Sequence, residues 1–134
     1  MPADGIVSIR HEADILSARI KARLLATSAG FSELDLTLIA TAISEIARNM
    51  LTYGGGGEME LVLIDERGRA GLSVVARDQG PGIPDVTRAM EDGFSTGNGL
   101  GLGLPGARRL MDEFVIQSEL GAGTTISMKK WRHK

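Results

Sequence analysis

The stretch from Ser32 to Thr52, SELDLTLIATAISEIARNMLT, decides the fold. Leu36, Ile39, Ile43, Ile46 and Met50 recur at alternating spacings of three and four, the period of an α-helix with one apolar face. Ser32 stands where an N-cap is needed, and Glu33 and Asp35 put negative charge in the first turn, where the helix dipole favours it. The run Gly54–Gly57 stops the pattern. So long an aliphatic stripe has to bury against a sheet. Glu45 and Asn49 are four residues apart and therefore adjacent, on a neighbouring face at the edge of the stripe.

Toward the N-terminus, Ile6–Arg10 reads as a short strand and Glu12–Ser28 as a helix ending before Gly30. Its expected apolar stripe is imperfect: Ile15, Leu16, Ala18, Ile20, Leu24 and Leu25. Toward the C-terminus, Glu58–Asp65 and Gly71–Asp78 form a hairpin around Glu66-Arg67-Gly68-Arg69. A short helix is expected over Val86–Glu91, and a glycine-rich loop over Gly93–Gly103. A further helix is expected over Pro105–Asp112, then strands over Phe114–Ser118 and Thr124–Trp131 around Gly121-Ala122-Gly123. The order β, α, α, β, β, loop, α, β, β predicts an α+β fold, a two-layer α/β sandwich with helices on one face of the sheet.

The 134 residues carry 43% hydrophobic and 24% charged side chains, the composition of one ordinary globular domain. A chain of this size hides roughly 65–70% of the surface its unfolded form exposes, so its core suffices without staples. None are available: there is no Cys, and His11 and His133 are far apart in sequence, which excludes disulfides and structural zinc. Fifteen basic against seventeen acidic residues give a formal charge of −2, so nucleic acid and anionic membranes are not expected partners. No run approaches the ~18 apolar residues of a membrane span, nor does the start resemble a signal peptide, and a cytoplasmic protein is expected. Lys129, Lys130, Arg132, His133 and Lys134 read as a solvated basic end rather than a binding patch.

Gly99-Leu100-Gly101-Leu102-Gly103 before a helix suggests a phosphate cradle. No strand leads directly into it, as a dinucleotide fold requires, and no Gly-Lys-Ser/Thr of a P-loop is present. By itself the loop is equally a flexible turn. The combination is far more specific. Ser44-Glu45-Ile46-Ala47-Arg48-Asn49 on a helix, Asp78-Gln79-Gly80-Pro81-Gly82, the Gly99–Gly103 loop and Gly121-Ala122-Gly123-Thr124-Thr125 resemble, in order and spacing, the four boxes of the GHKL ATPases. The resemblance runs from about Ser32 to Trp131. A closer similarity, over nearly the whole chain, is to the serine/threonine switch kinases of the stressosome. It rests on Ala42–Asn49, Asp78–Asp85, Met90–Thr96, Gly103-Leu104-Pro105-Gly106 and Arg109–Phe114.

That resemblance implies a fold of the Bergerat type, with a mixed, mostly antiparallel sheet, and a single ATP-binding kinase domain over residues 1–134. It implies ATP and Mg²⁺ as cofactors. Asn49 matches the Mg²⁺ ligand, which suits its neutral oxygen, and Glu45 matches the general base. Asp78 matches the acceptor for the adenine amino group, with Gly80 and Gly82 allowing the base close and Thr124 completing the contact. Gly99, Gly101 and Gly103 match the phosphate-binding glycines, and Ser95 and Thr96 fall beside them. Seen singly, a helix-surface Asn, a solvated Glu, an Asp-Gly turn and a strand-start Thr are all commonplace.

The same resemblance implies that STAS-domain stressosome proteins are substrates and sequestering scaffold, and that the released kinase activates a PP2C-type phosphatase in a stress response. Two alternatives remain: an anti-sigma kinase that binds a sigma factor, and a noncatalytic nucleotide-dependent module, against which Glu45 argues. Two features depart from the pattern. Between Gly82 and Gly99 Arg88 is the sole basic residue, and Gly54–Gly57 has no role beyond an easy turn.

Overall fold

In the computed structural model, residues 5–80, 103–119 and 121–133 are described. The elements run β1 (Gly5–Ile9), α1 (Glu12–Ser28), α2 (Glu33–Tyr53), β2 (Gly57–Glu66), β3 (Arg69–Asp78), α3 (Gly103–Leu110), β4 (Glu113–Glu119) and β5 (Gly123–Trp131). The short helix expected over 86–91 lies outside the described residues.

α2 forms as its sequence dictates. The Ser32 hydroxyl accepts the Asp35 backbone N–H at 3.1 Å, satisfying one of the donors that every helix start leaves over. Leu36, Ile39, Ile43, Ile46 and Met50 are all buried, with Ala42 and Ala47 beside them. The sheet that covers this stripe has the order β1-β2-β3-β5-β4. Its pairings are antiparallel throughout, where the family resemblance implied a mixed sheet. Side chains alternate across it, so Met59, Leu61, Leu72, Val74, Ala76, Ile126 and Met128 join the helices in one core. The β2–β3 connection is tighter than the sequence suggested: Arg67 and Gly68 alone form the turn, both at positive φ, and the Asp65 carboxylate accepts the Gly68 N–H at 3.0 Å.

α1 buries only part of its expected stripe, Ile15, Ala18 and Leu25. Ile15, Ala18, Ala22, Leu25 and Ala26 are buried, while Leu16, Ile20 and Leu24 are exposed by 51–64%. The row Ala18, Ala22, Ala26 has spacing four and small side chains, so it lets α1 pack close to its neighbours, and leucines there would hold it off.

The C-terminal basic run is solvated at His133 but not at Lys130. Lys130 is buried, and its Nζ donates to the Leu110 carbonyl at 2.9 Å, capping the last turn of α3 where the helix dipole favours a cation. The backbone N–H of Trp131 donates to Asp112 at 2.7 Å and its indole N–H to Glu113 at 2.8 Å. Its ring occupies space opposite Gly71, where a Cβ would come within 2.7 Å of it.

At the start of α1, the Asp14 carboxylate accepts the Arg10 and His11 backbone N–H groups at 2.8 and 2.9 Å. These bonds, Arg10's first, hold its pKa below the ordinary 3.8. Asp14→Asn should therefore lower the thermal midpoint near neutral pH. Because the folded pKa is the depressed one, the gap should be complete above 3.8 and close as pH falls through the folded value. Melts from about pH 6 to about pH 2 test this, and a gap that persists at the acid end would exclude the cap.

Candidate active site

Asp78 is the last residue of β3, between Gly57 on β2 and Thr124 on β5. Its Oδ1 accepts two backbone N–H groups, from Gly80 at 3.0 Å and Thr124 at 3.3 Å. Those bonds lock the carboxylate and leave Oδ2 with no donor among the described residues. The half-buried acceptor is walled by backbone. A Cβ at Gly54 would come within 2.5 Å of both Oδ2 and Cγ of Asp78, one at Gly80 within 2.6 Å of the Gly54 Cα, and one at Gly123 within 2.2 Å of the Asp78 carbonyl oxygen. Thr124 is buried beside it, its hydroxyl 2.9 Å from that of Ser118, which also donates to the Gly123 carbonyl.

The glycines after α2 build this corner. Gly54 and Gly56 both donate to the Met50 carbonyl, at 3.0 and 2.8 Å, and Gly55 and Gly56 have positive φ, so the chain reverses within three residues and enters β2 beside Asp78. Sequence reasoning missed Gly54 and Ser118. The signal for Gly54 was its position directly after the helix, ahead of the strand that pairs with Asp78. Nothing in the sequence marks Ser118, whose role arises from its register with Thr124.

Glu45 and Asn49 lie back along the same helix and are half-buried. The Asn49 amide nitrogen donates to the Glu45 carbonyl at 3.2 Å, which turns its side-chain oxygen outward as an acceptor. The Glu45 carboxylate takes no hydrogen bond among the described residues. At 1.5 Å rise per residue, Asn49 is about 7 Å and Glu45 about 13 Å along the axis from Gly54. The three positions can thus meet successive parts of one elongated ligand. No three His, Cys, Asp or Glu side chains cluster to hold a metal among the described residues. The neutral side-chain oxygen of Asn49 is of the kind Mg²⁺ accepts beside phosphates and water. Gly103 opens α3, which packs on α2. Gly82, Gly99, Gly101, Ser95 and Thr96 fall outside the described residues.

Residues 34–133 match the family model of histidine kinase-, DNA gyrase B- and HSP90-like ATPases. The chain belongs to the GHKL ATPases. Within them it belongs with the serine/threonine-protein kinases, being 51% identical over 131 residues to the serine/threonine-protein kinase RsbT of Bacillus subtilis, with 98% of each chain covered. It is 36% identical over 103 residues to the anti-sigma F factor of Geobacillus stearothermophilus, covering 72% of this chain and 69% of that one. A solved Mycobacterium tuberculosis structure of RsbU and RsbW domains superposes with a TM-score of 0.65 at 21% identity, covering 97% of this chain and 33% of that one, a likeness of fold alone.

For a GHKL ATPase, the open Asp78 oxygen is suited to accept a hydrogen bond from the adenine amino group. In Asp78→Asn the side-chain oxygen would keep both backbone bonds and its NH₂ would replace Oδ2, setting donor against donor. ATP affinity should fall by about 2–3 kcal/mol, or roughly 30- to 150-fold, with the fold retained. Gly54→Ala should weaken ATP binding by pushing the carboxylate aside, whereas Gly68→Ala, in the distant turn, should not. Calorimetry that finds unchanged affinity in folded Asp78→Asn would refute the adenine assignment.

Proposed function

We propose that this chain is a kinase that transfers the γ-phosphoryl group of ATP to a serine or threonine of STAS-domain stressosome proteins. The observation that carries the reading is that Asp78 Oδ2, Asn49 Oδ1 and the Glu45 carboxylate take no hydrogen bond among the described residues, in a chain half identical to a serine/threonine-protein kinase. The adenine amino group would bond Asp78 Oδ2, with the base against Gly54, Gly80 and Gly82. Asn49 Oδ1 would ligate Mg²⁺, and Gly99, Gly101 and Gly103 would offer backbone N–H groups to the phosphates. Bound Mg²⁺ would neutralise charge on the phosphate oxygens. Glu45 would accept the hydroxyl proton as the acceptor oxygen attacks the γ-phosphorus and the bond to the β-phosphate oxygen breaks, releasing ADP.

By the same reading, the whole of residues 1–134 acts as one kinase domain, its partners are the STAS proteins and a PP2C-type phosphatase that it activates when released, and it works in the cytoplasm. None of the described helices is long and apolar enough to cross a membrane. A second reading, an anti-sigma kinase bound to a sigma factor, draws on the anti-sigma F matches. At 36% identity and 72% coverage, against 51% and 98%, it is the weaker.

Glu45→Gln separates chemistry from binding. It should bind Mg·ATP and the STAS partner as the parent does, yet transfer phosphate about 10²–10⁴-fold more slowly, because shape is kept and the proton acceptor removed. Single-turnover transfer at the parental rate would exclude the base role. Pull-down with a sigma factor but with neither a STAS domain nor the phosphatase would favour the second reading.

A further inference from the structure

The end of β3 remote from Asp78 carries a second cluster. Arg67, Gly68, Arg69, Ala70, Arg132 and His133 line an open groove of about 320 Å³. It holds three guanidinium groups and no carboxylate. The nearby acids are engaged elsewhere: Asp65 caps the turn, Glu66 is 3.9 Å from Lys129, and Asp112 and Glu113 accept from Trp131. Nine residue steps of strand separate Arg69 from Asp78, about 30 Å, so the groove is no part of the nucleotide site.

The cations are held in position. Arg69 lies over the Trp131 ring, 5.1 Å from its centroid. The Arg132 side chain lies against Gly30 with its Cδ, Nε and one terminal nitrogen, and its backbone N–H is bonded to the Ala70 carbonyl at 2.8 Å. Its Nε is the buried side-chain nitrogen with no hydrogen-bond partner among the described residues. Three guanidinium groups that share a groove without acids repel one another until an anion enters it.

We propose that this groove binds the carboxylates of an acidic protein segment. Phosphate sites are commonly built from free backbone N–H groups, and here the Gly68 and Arg132 amides are already bonded to Asp65 and Ala70. What the groove offers is side-chain forks along an open channel, which match carboxylates spaced along an extended chain. The groove is distinct from the contacts that phosphoryl transfer requires, so its partner can remain bound while the kinase turns over.

Trp131 is the single tryptophan, and it reports on the groove through Arg69, which lies over its ring. Titration of the full chain with an end-blocked hexaglutamate peptide at low ionic strength should change its emission saturably. Arg132→Gln and Arg69→Gln should each weaken that binding by about tenfold, the loss expected of one charge-assisted hydrogen bond. Arg19→Gln, which removes the same charge from exposed α1, should stay within about twofold. ATP affinity should be unchanged in all three, which shows that they are folded. Parental peptide affinity in Arg132→Gln, an equal loss in Arg19→Gln, or tighter binding of inorganic phosphate than of the peptide would overturn the assignment.

Discussion

The two oxygens of Asp78 do different work, and the site depends on that division. Oδ1 is bonded to the backbone of Gly80 and Thr124, which ties the end of β3 to the loop after it and to β5. Oδ2 is then held open, with its orientation already decided. The constraint reaches into three other segments. Gly54 and Gly123 must lack side chains because a Cβ there would strike the Asp78 carboxylate or its main chain, and Gly80 because one would strike the backbone of Gly54.

That convergence makes α2 a ruler. Its C-terminal glycines pin one end at Asp78, and its aliphatic stripe pins its roll on the sheet, so Asn49 and Glu45 have fixed distances from the Asp78 oxygen. A helix is well suited to this. Its rise per residue is stiff, whereas a loop carrying the same side chains would lose the spacing to conformational freedom. The core residues Ile39, Ile43 and Ile46 thus act on the candidate site at one remove, because their burial fixes the roll of the face that carries Glu45 and Asn49.

The basic C-terminus shows the limit of reading charge as solvation. Lys130 belongs to the core because the alternation of β5 carries it to the helix side, where the carbonyl end of α3 receives it. Arg132 comes two positions later, just past the end of β5, and lines one groove with Arg67 and Arg69. Neither encounter is local in sequence.

By itself the sequence determined the helix α2, its cap, its stripe and its stop, because each depends on residues within a turn or two of one another. It also determined the hairpin and the order of elements, and through the spacing of Glu45, Asn49, Asp78 and Thr124 it made the ATPase family legible. Tertiary structure alone decided that α1 buries Ala22 and Ala26 and leaves Leu16, Ile20 and Leu24 exposed, because close packing favours the alanine row. It alone decided why Gly54 is glycine, what Ser118 bonds to, and where the terminal cations go. Those depend on strand register and on backbone approaching from segments tens of residues away, and a close approach leaves no periodic trace in the chain that makes it.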